Sequence, residues 1–153
     1  MGIRVAGPSD AEDLVRLINL AFRVERFFLD GERIDLDKVR ALLGSGEFLV
    51  ELEEGGAFAG CGYVELRGER AYLGLLSVEP SRQRTGVGSR LMAAAEERCR
   101  AGGCAFLDLQ IVNLREELPE FYRRRGYSQT GTAPFPDVPT RLPCHFVKMS
   151  KRL

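Results

Sequence analysis

The chain has 153 residues, of which 44% are hydrophobic, enough to bury one sizeable core but too few for two ordinary domains. We therefore expect a single domain over residues 1–153. Its 22 lysines and arginines are balanced by 22 aspartates and glutamates, and the two signs are interspersed, which argues against a nucleic-acid partner.

The cysteine pattern argues against a metal-binding protein, and the hydropathy argues against a secreted or membrane-spanning one. The four cysteines form no Cys-x-x-Cys pair and the chain has one histidine, so we expect reduced thiols and no metal site. The N-terminal residues lack an apolar signal region, and no apolar run reaches the ~18 residues of a membrane span. These features predict a soluble, cytoplasmic protein that does not contact a membrane.

The first third of the chain predicts a strand and two helices. Residues 3–6 can form a short strand, and Ser9-Asp10-Ala11-Glu12 has the pattern of a capping box. The apolar residues that follow recur at helical spacing, at Leu14, Leu17, Ile18, Ala21 and Phe22. Asp35 is placed to cap a second helix over residues 38–43, which Gly44 would end.

Glu25 stands one turn further along the apolar stripe of the first helix, where the pattern predicts an apolar residue. Most such acids lie past the helix end in solvent. A buried acid at a helix end beside a cleft is instead a candidate for function. The sequence leaves both interpretations open.

The middle of the chain predicts an antiparallel meander that leads into a central strand. Residues 48–52 and 57–66 have strand character and are joined by the turn Glu53-Glu54-Gly55-Gly56. A second turn leads to residues 71–78, whose apolar run does not alternate. Such a run is typical of a strand that is covered on both faces.

A polar loop with two glycines connects the central strand to a third helix, whose apolar residues include Val87 and Leu91. Gly86 and Gly88 permit positive φ and leave room for a ligand, and the first N–H groups of a helix lack internal partners. A helix start of this kind can hold a phosphate. Three arginines near the loop are expected to add positive charge to the site: Arg82, Arg84 and Arg90.

Other interpretations of the two glycines carry less weight. A dinucleotide fingerprint needs a third glycine where Leu91 stands and a direct turn from strand into helix, whereas the seven residues 79–85 intervene here. A Walker loop is excluded because no Gly-Lys-Ser/Thr follows. A glycine turn that binds nothing is the plain alternative.

The last third of the chain predicts two strands around a short helix, then a final strand. Residues 106–112 predict a strand parallel to the central one, since a helix makes the crossover. Pro119 suits a first helical position and Gly126 a position past the end, so residues 119–125 predict a helix that carries Tyr122 and ends in solvated arginines. Strands after Tyr127 and over residues 144–149 complete a fold of the α/β class. It is a mixed, mostly antiparallel twisted sheet of six or seven strands with helices on both faces.

Two ordered motifs carry a resemblance to a known family. The first is Val78-Glu79-Pro80 with Gln83-Arg84-Thr85-Gly86-Val87-Gly88, and the second is Asn113 with Phe121-Tyr122-Arg123-Arg124-Arg125-Gly126-Tyr127. They resemble the acyl-CoA loop and the second signature of the GCN5-related N-acetyltransferase (GNAT) family. The resemblance implies acetyl-CoA as cofactor, a central parallel strand pair that splays at the cofactor site, and acetyl transfer to a primary amine by direct attack in a ternary complex. The cofactor-binding residues that it implies are Leu76, Val78, Gln83, Arg84, Thr85, Gly86, Val87, Gly88, Ser89 and Asn113.

The resemblance also implies catalytic roles. Tyr122 takes the position of the acid that protonates the departing sulfur, and backbone N–H groups near residues 76–78 polarise the thioester carbonyl. The base is not carried over, because residues 72–78 contain no acid where many relatives have a glutamate. Glu25, Glu65, Asp108 or a water chain are the candidates, and Glu25 ranks first because it breaks an apolar stripe beside the expected acceptor wall.

Phe28 and Arg33 join Glu25 as the substrate-side candidates, with core packing and a surface cation as their plainer interpretations. From Asn113 to Tyr122 the chain is two residues longer than in the commonest family form, which affects the expected role of Asn113 more than that of Tyr122. The expected partner is a small-molecule amine or a peptide amine, and a homodimer is compatible with the resemblance. The alternative function is a non-catalytic acyl-CoA-binding sensor or interaction module of the same fold.

Overall fold

A computed structural model describes residues 2–153 as seven strands in one sheet, with order β1-β2-β3-β4-β5-β7-β6. Met1, the first residue of the predicted domain, lies outside the described residues. The strands are β1 (Gly2–Val5), β2 (Glu47–Leu52), β3 (Phe58–Arg67), β4 (Arg70–Val78), β5 (Phe106–Val112), β6 (Ser128–Pro134) and β7 (His145–Arg152). The helices are α1 (Ala11–Ala21), α2 (Leu36–Ser45), α3 (Val87–Ala101) and α4 (Leu118–Arg123), with short 3₁₀ helices over Pro8–Asp10, Phe22–Phe27 and Pro80–Arg82.

The sheet buries apolar residues on both faces, which confirms the predicted fold class. Phe48 and Val50 of β2 pack in the cluster under α1 and α2, whereas Leu49 between them packs in the cluster under α3. Successive residues of a strand point to opposite faces, so an apolar run without alternation is what this two-sided core requires. None of the helices within residues 2–153 has the length and apolar character needed to cross a membrane.

The ends of the first two helices agree with the sequence prediction only in part. Ser9 does not cap α1, which begins at Ala11; instead the Asp10 carboxylate accepts a hydrogen bond from the Gly7 N–H at 2.8 Å and two from Arg4. The predicted cap of α2 is confirmed, because Asp35 accepts from the Lys38 N–H at 2.8 Å. The predicted stop at Gly44 is wrong, since α2 continues to Ser45. The glycine that matters is Gly46, where an added Cβ would lie 2.5 Å from a backbone oxygen of β3.

The central strands β4 and β5 are parallel, as predicted, but pair over only three positions, from Arg70 with Phe106 to Tyr72 with Asp108. Beyond Tyr72 the two strands separate. Opposite β3, the register moves from Tyr63 with Gly74 to Cys61 with Ser77, so β4 carries one extra residue there. This β-bulge places Leu75 at a φ of 53°, a left-handed value that is unusual outside glycine.

Candidate active site

The loop between β4 and α3 presents a run of backbone donors. Arg84 and Gly86 both have left-handed φ values, of 67° and 91°, which curls the chain at the start of α3. Within residues 2–153, the N–H groups of residues 84–89 donate to no acceptor, and the first backbone bond after them runs from Arg90 N–H to Gly86 O. Such a concave array of N–H groups at a helix N-terminus suits a phosphate or pyrophosphate.

The arginines near this loop do not form the predicted cluster. Arg82 donates to Glu53 at 2.7 Å, and Arg90 makes two hydrogen bonds, of 2.7 and 2.8 Å, to the buried Glu51 of β2. The expectation that both arginines add free charge to the anion site is therefore wrong. Arg84 alone of the three has no ion-pair partner among the described residues. The signal for this outcome was Glu51, an acid within the apolar run of residues 48–52, which needs a cation when buried.

The two glycines of the loop have different structural roles. Gly86 needs its positive φ, and an added Cβ there would lie 2.9 Å from Arg90 Nη1. Gly88 lies in the first turn of α3, and its added Cβ would lie 3.3 Å from the Phe121 ring and 3.8 Å from Val78. Gly88 thus allows α3 and α4 to approach closely, a packing role that the sequence did not indicate.

The other residues of the predicted cofactor loop lie around the start of α3, where their backbone groups can face a bound cofactor. Gln83 ends the 3₁₀ helix over Pro80–Arg82, and the Thr85 hydroxyl donates to the Arg82 carbonyl. The Val87 side chain is buried in the core, so only its N–H is available to the predicted site. Ser89 accepts a hydrogen bond from Arg125, whose guanidinium stacks on the Phe121 ring. Arg125 is therefore partly buried, contrary to the predicted solvated helix end.

Leu76 and Val78 belong to the part of β4 that has separated from β5. Both side chains are half-buried, and within residues 2–153 no strand pairs with the β5-facing edge beside them. The bulge is stabilised by Ser77, whose buried hydroxyl donates to the Leu75 carbonyl at 2.9 Å. Because unpaired backbone groups in a sheet need a partner, this edge can receive an extended ligand as an added strand.

Tyr122 is held by α4 against the splayed strands. Its ring packs at right angles to Phe121 and is tilted against Tyr127, with centroids 5.1 and 6.0 Å away. The residue is buried, yet its hydroxyl has no hydrogen-bond partner within residues 2–153. The hydroxyl oxygen itself is not completely enclosed by protein atoms. Burial raises the pKa of Tyr122 to about 12, against the opposing charges of Arg115 and Arg125. The side chain therefore keeps its proton at neutral pH and has a free O–H to donate.

Glu25 is buried at the end of the 3₁₀ helix that continues α1, which removes the interpretation of a solvated acid. Its carboxylate accepts a hydrogen bond of 3.0 Å from Arg115, in the loop between β5 and α4. Burial raises the pKa of Glu25 above its usual value, although the charges of Arg115 and Arg33 oppose this shift. Arg115 was missed by sequence reasoning; the two extra residues between Asn113 and Tyr122 were the signal that could have pointed to it.

The other two acids considered as the base have lowered pKa values, in contrast to Glu25. Glu65 accepts from the Tyr63 hydroxyl at 2.7 Å and from Arg67 at 2.9 Å, and the Tyr63 bond is the largest cause of its lowered pKa. Asp108 accepts two hydrogen bonds from Arg70, at 2.6 and 2.7 Å, which likewise lower its pKa. Of the three, Glu25 is the acid whose pKa is raised towards neutrality.

Asn113 and Phe28 take structural positions. The Asn113 side-chain oxygen accepts the His145 N–H at 2.8 Å, and the Asn113 N–H donates to the His145 carbonyl at 2.9 Å. Asn113 thus extends the β5–β7 ladder. Phe28 is fully buried, with its ring against Phe27 and Phe135, and it does not line the neighbouring cleft, so its plainer interpretation as core is the one the structure supports.

A cleft of about 730 Å³ opens on the α1–α2 side of the splayed strands. Its walls come from α2 and the segment before it, which includes Arg33, from β3, and from β5 and β7. Gly74 and Leu75 at the β4 bulge form part of its lining. The cleft and the N–H-rich loop therefore approach the break between β4 and β5 from opposite faces of the sheet.

Comparison with known proteins agrees with this geometry. No curated protein matches the sequence. The structure is similar to a ribosomal-protein-alanine N-acetyltransferase from Brucella melitensis, with a TM-score of 0.81, 19% identity and 100% of each chain covered. It is also similar to smu.2055 from Streptococcus mutans UA159, with a TM-score of 0.84, 16% identity and 99% of each chain covered. A third similar structure is the ribosomal-protein-S18-alanine N-acetyltransferase from Escherichia coli, with a TM-score of 0.79, 15% identity and coverage of 99% of this chain and 92% of that one.

These likenesses establish the fold, and the sequence itself establishes the family. The profile of the Acetyltransferase (GNAT) family matches residues 12–127, about three quarters of the chain. The matched region runs from the start of α1 to the end of the second motif and so includes the loop, the bulge and Tyr122. The chain therefore belongs to the GNAT family of N-acetyltransferases.

Proposed function

We propose that this protein transfers an acetyl group from acetyl-CoA to a primary amine. The observation that carries the proposal is the run of unpartnered N–H groups over residues 84–89, placed at the end of a strand that has separated from its neighbour. The donor array fits the pyrophosphate of coenzyme A, and the free edge of β4 at Leu76 and Val78 fits its extended arm. Bound acetyl-CoA supplies the acetyl group as a thioester.

The residues around the β4 bulge supply the chemistry that acyl transfer to an amine needs. An alkyl ammonium has a pKa near ~10.4 and must lose a proton before it attacks, so Glu25, buried and with a raised pKa, accepts that proton directly or through water. Backbone N–H groups of β4 near Leu76 stabilise the negative charge that develops on the carbonyl oxygen. Tyr122 donates its hydroxyl proton to the departing thiolate.

Direct attack within a ternary complex is favoured over a covalent acyl-enzyme. The loop and the cleft reach the β4 bulge from opposite faces, so both substrates can be bound at once. Cys61, the thiol opposite Ser77 on β3, is fully buried, and burial raises its pKa to about 12. A thiol in that state is a poor nucleophile.

The acceptor, location and domain extent complete the proposal. Two of the similar structures are ribosomal-protein-alanine N-acetyltransferases, which makes a peptide N-terminus one acceptor to test beside small amines. All four cysteines are free, as in a reducing compartment, which supports a cytoplasmic location. We propose that residues 1–153 act as one N-acetyltransferase domain, as a monomer or a homodimer.

The test is release of free thiol from acetyl-CoA in the presence of a panel of small amines and peptides. Turnover that requires both acetyl-CoA and one class of amine supports the proposal. Tight binding of acetyl-CoA with no thiol release across the whole panel would favour the non-catalytic binding module instead.

A further inference from the structure

The cleft on the α1–α2 side has an unequal distribution of charge, although the chain as a whole is neutral. Two carboxylates line it, Glu65 and Asp108, and both are already held by arginines of the same cleft. Glu65 pairs with Arg67 at 2.9 Å, and Asp108 with Arg70 at 2.6 Å. These two ion pairs cancel within the cleft and leave no carboxylate free to receive a cationic ligand.

Three further cations line the cleft: Arg33, Lys38 and Lys148. Within residues 2–153 none of their side chains forms an ion pair or donates a hydrogen bond. Arg33 lies over the Phe22 ring, with its guanidinium carbon 5.3 Å from the ring centroid, which holds it beside the cleft. The three residues come from separate elements, since Arg33 precedes α2, Lys38 is in α2 and Lys148 is in β7. Three exposed cations from different parts of the chain therefore line the same space.

The same cleft reaches the place where acyl transfer is proposed. Gly74 and Leu75 of the bulge belong to its lining. The charge of Arg33 acts on both Glu25 and Tyr72, and in each it opposes the rise in pKa caused by burial. Arg33 is thus within electrostatic range of the proposed base, and the part of an acceptor that occupies the cleft lies in a space with a net surplus of positive charge.

We propose that the acceptor is a small primary amine that also carries a carboxylate, with the carboxylate bound by Arg33, Lys38 and Lys148 and the amine at Leu75. This inference rests on the proposed acetyl transfer and names the substrate class of that site. A volume of about 730 Å³ is in the range of small-molecule pockets. Polycationic amines would be repelled, because no acid of the cleft is free to pair with them.

The experiment compares amino acids with their own carboxamides as acceptors, with kcat/KM calculated for the unprotonated amine to remove the difference in amine pKa. We expect the carboxylate forms to be preferred by about tenfold or more. Arg33→Gln and Lys148→Gln should raise KM for the carboxylate forms by about tenfold, with little change in KM for the carboxamides. Arg40→Gln is the matched control, since Arg40 is an exposed arginine of α2 outside the cleft.

Equal use of the two forms, or equal effects of the cleft and control variants, would overturn the inference. A second measurement separates it from the proposed function. Titration of the parent protein, saturated with coenzyme A, with N-acetylated amino acids and their amides measures carboxylate recognition without turnover. Selective binding of the carboxylate with no thiol release from any amine would contradict acetyl transfer but support the anionic specificity of the cleft; no selectivity would refute that specificity.

Discussion

Glu25 and Arg115 are 90 residues apart in the chain and form an ion pair of 3.0 Å in which both side chains are mostly buried. The contact joins the end of the first helical segment to the loop between β5 and α4. Arg115 also pairs with the more exposed Glu117 at 2.9 Å. The guanidinium therefore orients the Glu25 carboxylate, while burial keeps the pKa of that carboxylate raised.

Glu25→Gln should lower kcat with little change in acetyl-CoA affinity, because the amide cannot accept the proton of the attacking ammonium. The loss should shrink as the pH rises towards ~10.4, where the amine deprotonates by itself. Steady-state rates between pH 6 and about 10 measure this. Glu12→Gln is the control, since Glu12 is an exposed carboxylate of α1 with no ion-pair partner within residues 2–153 and should leave the pH profile unchanged. A loss in Glu25→Gln that does not vary with pH would point to a positioning role.

Glu25→Gln should also change the stability of the fold, by an amount that depends on pH. The folded protein raises the pKa of Glu25, so the stability that this group contributes is fully present below its unfolded pKa of ~4.3 and is lost as pH rises through the folded value. Glutamine does not titrate. The difference in melting temperature, Glu25→Gln minus parent, should therefore increase from about pH 4 to pH 8. Thermal unfolding over that range checks it, and a difference that falls with pH would show that Arg115 dominates over burial.

Tyr122→Phe should remove the proton donor without harming the fold, because the hydroxyl has no partner within residues 2–153. We expect acetyl-CoA affinity and melting temperature to be kept, and turnover to fall by about 10²–10⁴-fold. Tyr127→Phe is the matched control, since that hydroxyl donates to the buried Glu96 at 2.9 Å. It should cost about 1–3 kcal/mol of unfolding free energy and have little effect on the turnover of folded enzyme. Parent-like turnover of Tyr122→Phe on the best amine would exclude the tyrosine as the acid.

Gly86→Ala should weaken binding of coenzyme A, measured by calorimetric titration. A residue with a Cβ is strained by roughly 1–2 kcal/mol at a left-handed φ, and relief of that strain would reorient the N–H groups of the loop. Gly103→Ala is the control: Gly103 lies beyond the other end of α3, has a φ of 85°, and its added Cβ would meet nothing within 4 Å. Both variants should lose stability, Gly86→Ala slightly more because Arg90 Nη1, 2.9 Å from its added Cβ, must move, and Gly86→Ala alone should lose affinity. Equal affinities would remove the loop from the cofactor site.

Gly88 is a less direct test of the same loop, because it lies where α3 meets α4. A valine there would press on Phe121, 3.3 Å from the added Cβ, and so would disturb the packing of α3 against α4. Reduced affinity in Gly88→Val would then have two causes. Gly86 is the better position for this test, because its added Cβ meets only the end of the flexible Arg90 side chain.

The order and type of the elements could be predicted because their signals are local. Apolar runs, helical spacing and the placement of Pro119 and Gly126 act within a few residues of one another, and the strand over Phe106–Val112 has the predicted bounds. The two motifs are likewise local stretches of chain, so the family could be named from them, and Glu25 was noticed because it interrupts a local stripe.

The pairing of side chains and the shape of the site were decided by the tertiary structure. Arg82 and Arg90 lie beside the loop in sequence, but the register of β2 and the turn after it bring Glu53 and Glu51 to them and remove their free charge. Arg115 reaches Glu25 across 90 residues, and the left-handed Leu75 arises from a mismatch between β3 and β4. The sequence by itself determined the strand, loop and helix that form the candidate cofactor site. Which charges remain unpaired, and therefore what the cleft can bind, depends on distances between residues remote in sequence, and packing alone sets those distances.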